Sequence, residues 1–232
     1  MLKFAWRFAW RVVLLVLSAL TLLQFWFVGC VWYWSVNNPE STAFMRARLE
    51  RLREDKPDAR LKYTFVPYHR LSPHLKRAIV ASEDANFFQH RGFDWDGMRK
   101  AHEKNMREGE FVAGGSTITQ QLAKNLFLSG ERTLWRKVQE AVITVMIEVI
   151  MDKRRILELY LNVIEWGDGV FGAEAAARYH YAASAAQLAP EQAARLAAMV
   201  PSPRRYTPGR HTAYLERRTG TILSRMNAVR VP

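Results

Sequence analysis

Residues 114–125 read GGSTITQQLAKN, and this stretch marks the start of a helix near the middle of the chain. Thr117 followed by Gln120 three residues later is a capping-box pattern, which satisfies free backbone N–H groups of the first turn. The glycines before it let the backbone approach a bound group, and a helix N-terminus offers N–H groups to an anion. The stretch lacks the Gly-Lys-Ser/Thr ending of a nucleotide-binding loop. It predicts a capped helix that opens on uncharged hydrogen-bonding side chains.

This helix has two interpretations. Gln120 with Lys124, and Gln121 with Asn125, are spaced i to i+4 and therefore share faces. A well-capped helix with a solvated polar face is the plain explanation. Four hydroxyl or amide side chains among residues 116–120 exceed what solubility needs, so a ligand-binding role is favoured.

Upstream, residues 83–92 read EDANFFQHRG. Ser72 followed by Pro73 predicts the start of the helix that delivers Glu83 and Asp84 at its end. A carboxylate beside aromatic side chains is partly desolvated, which suits general acid or base work. An ordinary helix end with solvated acids is the alternative, and these residues alone favour it.

Downstream, Thr133 predicts the start of a long helix that reaches about Met151. Arg136 and Glu140 can pair across one turn, and such a surface pair stabilises a helix by only ~0.2–0.5 kcal/mol. Together with Lys124, the cations that open this helix could instead hold a pyrophosphate while Glu140 orients them. Those cations are Arg132, Arg136 and Lys137.

The remaining chain is predicted to be mainly helical. Asp94 starts a helix that Gly109 terminates, and Leu61 to Val66 is the one plausible strand. Further helices are predicted at residues 156–164, 174–179, 190–199 and 213–227.

The N-terminus predicts a membrane anchor. Residues 12–34 carry no charge and, as a helix, would extend roughly 35 Å, enough to cross a ~30 Å hydrocarbon layer. Lys3, Arg7 and Arg11 precede the segment, so the positive-inside bias places residues 1–11 in the cytoplasm and the rest outside. Residues 35–62 are then a juxtamembrane connector and residues 63–232 the folded domain.

Two other N-terminal signals are less favoured. The apolar run is longer than the ~7–15 residue core of a cleaved signal peptide. A lipoprotein signal would use Cys30, but Phe27 stands where a lipidation box usually has leucine. Because Cys30 is the single cysteine, no internal disulfide can form.

Composition indicates one folded domain with anionic partners. The 34 Lys and Arg residues outnumber the 22 Asp and Glu residues, for a net charge of +12. Nucleic acid, acidic phospholipid and phosphorylated substrates all satisfy that charge. Nucleic-acid binding explains neither the anchor nor the acidic cluster.

Taken in order, these blocks resemble the peptidoglycan glycosyltransferase domain of monofunctional polymerases and bifunctional penicillin-binding proteins. The family's first motif, Glu-Asp-x-x-Phe-x-x-His-x-Gly, is met by residues 83–92. The second is similar to residues 114–125, the third to 136–140, the fourth to 155–176 and the fifth to 190–206. The resemblance runs from about Asn37 to the C-terminus, with a departure at Tyr179-His180-Tyr181, where relatives usually carry Tyr-Phe.

The resemblance implies a mainly α, lysozyme-like fold and a polymerase of lipid II. In that reaction the acceptor's 4-hydroxyl attacks the anomeric carbon of the growing chain, with inversion, and releases undecaprenyl pyrophosphate. Glu83 would be the general base, and Glu140 would position the cations or assist departure. Substrate-binding roles would fall to Asp84, Phe87, His90, Gly115, Ser116, Thr117, Gln120, Gln121, Lys124, Asn125, Arg132, Arg136 and Lys137.

The resemblance also implies partners and a location. No cofactor is required and no metal-binding residue is expected, although Mg²⁺ or Mn²⁺ could assist at the pyrophosphate. The expected partners are lipid II, the growing glycan chain and membrane phospholipid, with penicillin-binding and division proteins as further candidates. The expected location is the inner membrane, with the catalytic domain in the periplasm. A lytic enzyme and a non-catalytic cell-wall scaffold are the alternatives.

Overall fold

The computed structural model describes residues 2–109, 114–128, 133–206 and 212–232. Contacts divide the chain into two compact units, Met1–Asn37 and Asn38–Pro232. The first unit is a single long helix, and the second holds the remaining elements. The predicted mainly α class is confirmed, because helices dominate both units and the strands are short.

Helix α1 spans Leu2–Val36 and is apolar over most of its length. Within it, Trp6–Val36 has a mean hydropathy of 2.3 and is long and apolar enough to cross a membrane. The predicted span of residues 12–34 lies inside this stretch. Its large apolar side chains are mostly exposed, which is consistent with a membrane anchor, since water would disfavour such a surface.

The helices of the second unit begin and end largely at the residues that the sequence indicates. Their bounds are α2 Ala43–Asp55, α3 Pro73–Glu83, α4 Trp95–Glu108, α5 Ile118–Phe127, α6 Leu134–Ile150, α7 Lys153–Val163, α8 Ala173–Tyr181, α9 Pro190–Met199 and α10 Ala213–Met226. Two short 3-10 helices, Tyr68–Arg70 and Ala185–Gln187, lie between them.

Local capping explains these boundaries. The predicted capping box is confirmed, since Thr117 accepts from the Gln120 backbone N–H and the Gln120 side chain accepts from the Thr117 N–H. Thr133 caps α6 as predicted, and Gly109 ends α4 with a left-handed φ of 68°. Helix α7 starts before its predicted residue because Asp152 caps it by accepting from the Arg155 N–H.

The prediction of one strand is wrong. A three-stranded sheet has the order β1-β3-β2, with β1 Lys62–Tyr63, β2 Glu165–Gly167 and β3 Val170–Phe171. Strand β1 pairs in parallel with β3, which pairs antiparallel with β2. Strands β2 and β3 escape prediction because two or three residues cannot display an alternating pattern.

Helix packing brings the end of α3 close to the start of α5. Helices α3, α9 and α10 pack together, and α5 packs against α2, α6 and α7. The core is filled by completely buried side chains such as Leu75 and Ile79 of α3, Leu122 of α5 and Tyr160 of α7. This packing holds in place the end of α3, which carries Glu83, and the start of α5, which carries Gln120.

The departure at Tyr179-His180-Tyr181 is accommodated by one hydrogen bond. His180 Nε2 donates to the carbonyl oxygen of Trp166 at 2.9 Å, which links α8 to β2. Burial lowers the pKa of the His180 imidazole, while the hydrogen bond to Trp166 opposes that shift. A histidine therefore fits at this position, where the resemblance leads us to expect phenylalanine.

Candidate active site

Glu83 is the last residue of α3, and its side chain is held at both oxygens. Its Oε2 accepts from Gln121 Nε2 at 3.1 Å. Its Oε1 accepts from Ser82 Oγ at 3.0 Å and lies 3.4 Å from an Arg218 nitrogen. The side chain is 10% exposed, so a single carboxylate is largely withdrawn from water yet can still be reached.

Asp84 and His90 tie the loop after Glu83 to the start of α5. Asp84 accepts from the Ile118 backbone N–H at 3.0 Å and lies 2.9 Å from His90 Nε2. Phe87 is completely buried, and Lys153 Nζ lies over its ring at 4.5 Å. Any effect of Asp84, Phe87 or His90 on a substrate would therefore act through the residues that they hold. Their substrate-binding role stays a prediction.

The predicted site residues between 115 and 125 differ in what they contact. Thr117 and Gln120 are buried and engaged in the capping box, and Thr117 Oγ1 also donates to the Gly92 carbonyl at 2.6 Å. Ser116 is exposed and Gly115 is half-buried, next to Met98. The residues that reach the neighbouring cavity are Gln121, Lys124 and Asn125.

That cavity has a volume of about 350 Å³ and a cationic lining. Lys124 of α5, Arg136 of α6 and Arg204 contribute its positive charges. Burial lowers the pKa of Lys124; nearby Arg136 and Lys137 lower it further, while Glu140 and Glu83 oppose the shift. An anion bound in this cavity would offset the desolvation of Lys124 by stabilising its charged ammonium.

Glu140 organises the cations at the start of α6. Its carboxylate accepts from Arg136 at 2.9 Å and from Lys137, as the i to i+4 spacing predicts for Arg136. The Glu140 side chain is 4% exposed, and Arg136 Nε has no hydrogen-bond partner among the described residues. Arg132, the fourth predicted cation, lies outside the described residues.

Glu165 and Arg204 line the cavity although sequence reasoning did not assign them to it. Glu165 Oε1 lies 3.2 Å from Arg48 of α2, and its Oε2 lies 3.8 Å from Arg204. Burial raises the pKa of Glu165, while a backbone hydrogen bond from Gly169 and the two arginines oppose that shift. No sequence signal could have joined Glu165 to Arg48, because 117 residues separate them.

The arrangement combines two chemical functions. A single carboxylate that can take up a proton, Glu83, is connected through Gln121 to a cavity whose cations can hold an anion. Across the described ranges, no three His, Cys, Asp or Glu side chains come together to hold a metal ion. The site is suited to transferring a group away from an anionic leaving group.

Comparison with known proteins identifies the family of this chain. Residues 50–227 match the family model described as transglycosylase. That match confirms the lysozyme-like helical class that the resemblance implied. Its start at residue 50 falls inside the predicted connector of residues 35–62.

Three relatives are similar over almost their whole length, and each bears the name biosynthetic peptidoglycan transglycosylase. The protein from Nitrosospira multiformis is 56% identical over 226 residues, which cover 97% of this chain and 98% of the relative. The protein from Laribacter hongkongensis is 60% identical over 222 residues, 96% and 97% of the two chains. The Methylobacillus flagellatus protein is 58% identical over 223 residues, again 96% and 97%. The chain therefore belongs to the transglycosylase family.

Proposed function

We propose that this transglycosylase polymerises the glycan strands of peptidoglycan. The family match and the names of the relatives support the coarser statement, that the chain is a peptidoglycan glycosyltransferase. The finer proposal is an inverting transfer of the lipid-linked growing chain to the 4-hydroxyl of lipid II. It is supported by one observation above all, the link through Gln121 between Glu83 and the cationic cavity.

Glu83 would act as the general base. As the 4-hydroxyl oxygen attacks the anomeric carbon, its proton passes to the Glu83 carboxylate and a β-1,4 bond forms. The bond between that carbon and the pyrophosphate oxygen breaks, and the electron pair leaves with undecaprenyl pyrophosphate. Charge therefore moves from Glu83 toward the cavity during the reaction.

The cavity cations would stabilise the charge that gathers on the leaving group. Lys124 and Arg136 line the cavity, and Glu140 fixes Arg136 and Lys137 in place before the reaction begins. Preorganised cations cost no rearrangement at the transition state, which makes them effective in a partly dry site. Arg132 would join this group, as the resemblance implies.

We propose that catalysis requires no cofactor. Among the described residues the cavity lining has one carboxylate, Glu165, beside cations and amides, rather than the carboxylate cluster that hard divalent cations prefer, which supports this proposal. Mg²⁺ or Mn²⁺, where it takes part, would be held by the pyrophosphate itself. The protein's own residues account for binding, orientation and proton transfer.

We also propose that the enzyme works at the outer face of the inner membrane, with residues 1–11 in the cytoplasm. The long apolar helix α1 is consistent with a single-pass anchor. The outer face of α6 supports contact with lipid, because Trp135, Val142 and Val149 are exposed there and neither Glu140 nor Glu148 on α6 is exposed. Protease added to intact spheroplasts should then digest the second unit, whereas protection would contradict the orientation.

The decisive experiment incubates detergent-solubilised protein with labelled lipid II. We expect polymer that lysozyme digests, and we expect Glu83→Gln to fold normally yet lose at least roughly 1,000-fold in rate, as removal of a catalytic carboxylate does. Full activity in Glu83→Gln would refute the assignment of the base. Unchanged lipid II with folded wild-type protein would favour the scaffold alternative, and cleavage of preformed glycan would favour the lytic one.

A further inference from the structure

The two oxygens of the Glu83 carboxylate have different surroundings. Oε2 is contacted by Gln121, which lines the cavity. Oε1 instead meets the Ser82 hydroxyl and the Arg218 guanidinium. One oxygen therefore contacts a residue that lines the cavity, and the other contacts residues of α3 and α10.

Arg218 reaches this position from the C-terminal helix. It lies on α10 between the buried residues Leu215 and Ile222, at the edge of the face that packs against α3 and α9. Its guanidinium donates to Ser82 Oγ at 3.1 Å and approaches Glu83 Oε1 at 3.4 Å. Because α10 packs directly on α3, the backbone from which the Arg218 side chain extends is held in a fixed position relative to Glu83.

An ordinary surface ion pair is the plain explanation, and such pairs contribute little to stability. Two features separate this contact from that class. The partners are only 32% and 10% exposed, and the guanidinium and the Ser82 hydroxyl converge on the same carboxylate oxygen. By contrast, Arg217, the next residue on α10, is exposed.

We infer that Arg218 is a positioning residue for the general base, a role that rests on the proposed function of Glu83. With Ser82, it holds Oε1 so that Oε2 is presented to the acceptor hydroxyl as the proton-accepting atom. A base that can rotate freely would spend less time in the productive geometry.

The test compares Arg218→Gln with Arg217→Gln, which removes the same charge one residue away. Steady-state polymerisation of labelled lipid II should show kcat reduced by roughly 10- to 100-fold in Arg218→Gln, with KM within about twofold of wild type. Arg217→Gln should match wild type in both constants. Arg218→Lys should recover most of the loss, because an ammonium supplies the same charge and a donor.

Chemical rescue separates positioning from a purely structural role. Millimolar guanidinium added to Arg218→Ala should restore part of kcat and leave Arg217→Ala unchanged, whereas a misfolded site would not respond. In a Glu83→Gln background, Arg218→Gln should cause no further loss, because both changes act through one carboxylate. A further full loss in the double variant would overturn the inference.

Two further outcomes separate failure of the positioning role from failure of the proposed function. If Glu83→Gln is inactive but Arg218→Gln retains normal kcat, the positioning role fails while the proposed function stands. If Glu83→Gln retains full activity, the proposed base itself fails. Should Arg218→Gln not fold, Ser82→Ala takes its place, with kcat expected to fall roughly threefold to tenfold at constant KM, and an unchanged kcat would overturn the inference.

Discussion

Two carboxylates of the candidate active site, Glu83 and Glu140, are similarly shielded from water but have different partners. Their side chains are 10% and 4% exposed. Glu83 meets an amide, a hydroxyl and one guanidinium nitrogen 3.4 Å away. Glu140 contacts two cations directly, Arg136 and Lys137. The first carboxylate is held mainly by neutral donors, and the second by two cations.

This difference shows how one site can use the same functional group in opposite ways. Glu140 contacts two cations, so its carboxylate is suited to fixing positive charge. Glu83 is held mainly by neutral donors, which is compatible with the role of general base proposed for it. The neighbours of each acid, rather than its burial, therefore assign the roles.

The largest effect on stability should come from removing the charge of Glu140. Glu140→Gln leaves Arg136 and Lys137 without their counter-charge and places amide hydrogens against a cation. We expect the polymerisation rate to fall roughly 100-fold and the free energy of unfolding to fall by about 1–3 kcal/mol. Initial rates on lipid II and denaturant unfolding measure the two quantities.

Glu83→Gln is the matched control for that prediction. It should abolish activity with a change in unfolding free energy below about 1 kcal/mol, because its neighbours are mainly neutral donors. The contrast between an acid held by two cations and an acid held mainly by neutral donors predicts that the Glu140 change weakens the fold more than the Glu83 change does. Equal destabilisation in both variants would contradict the assignment of separate roles.

A smaller effect is expected from the alkaline titration of Lys124. Burial lowers the pKa of this ammonium, so it should lose its proton, and the cavity one positive charge, at a lower pH than a solvated lysine does. Activity should accordingly decline on the alkaline side below the usual lysine range. Lipid II consumption between about pH 7 and 10.5 measures this limb.

Lys124→Arg provides the control, because a guanidinium keeps its charge throughout that range. We expect a rate roughly tenfold lower near neutral pH, since the larger group fits the cavity poorly, and an alkaline limb moved to higher pH. An alkaline limb at the same pH in both proteins would show that another group is responsible.

Whether a feature can be predicted from the sequence depends on how far apart in the chain the interacting residues lie. Helix caps and i to i+4 pairs join residues that are at most four apart. The contacts of Thr117 with Gln120 and of Arg136 with Glu140 can therefore be predicted from the sequence. The mainly α class follows from the same local signals. The family resemblance indicates Glu83 as the general base, although residues 83–92 taken alone favour an ordinary helix end with solvated acids.

The rest of the site depends on packing between distant segments. Arg218 is 135 residues from Glu83, and Arg48 is 117 residues from Glu165, so neither pair leaves a spacing pattern. Strands β2 and β3 exist because they pair with each other and with β1, not because their few residues favour extended structure. The burial of Gln120 likewise depends on its tertiary surroundings, and its substrate-binding role stays a prediction.

The smallest effect should come from Tyr160, which orients the amide that touches Glu83. Burial raises the Tyr160 pKa well above its ordinary value, so the hydroxyl stays protonated and donates to Gln121 Oε1 at 2.8 Å. That bond directs Gln121 Nε2 toward Glu83 Oε2. In Tyr160→Phe the Gln121 amide can rotate so that its oxygen, instead of its nitrogen, faces the Glu83 carboxylate. We therefore expect kcat to fall roughly threefold to tenfold at constant KM.

Tyr179→Phe is the control for Tyr160→Phe, because it deletes the hydroxyl of a half-exposed tyrosine that is absent from the cavity lining. Its kcat should equal that of wild type. Tyr160→Phe should also lose about 1 kcal/mol of unfolding free energy, since a buried acceptor on Gln121 is left without its donor. A loss of stability with unchanged kcat would mean that Tyr160 serves the fold alone. A fall in kcat would instead mean that the neutral contact at Oε2 must be oriented as carefully as the charged contact at Oε1.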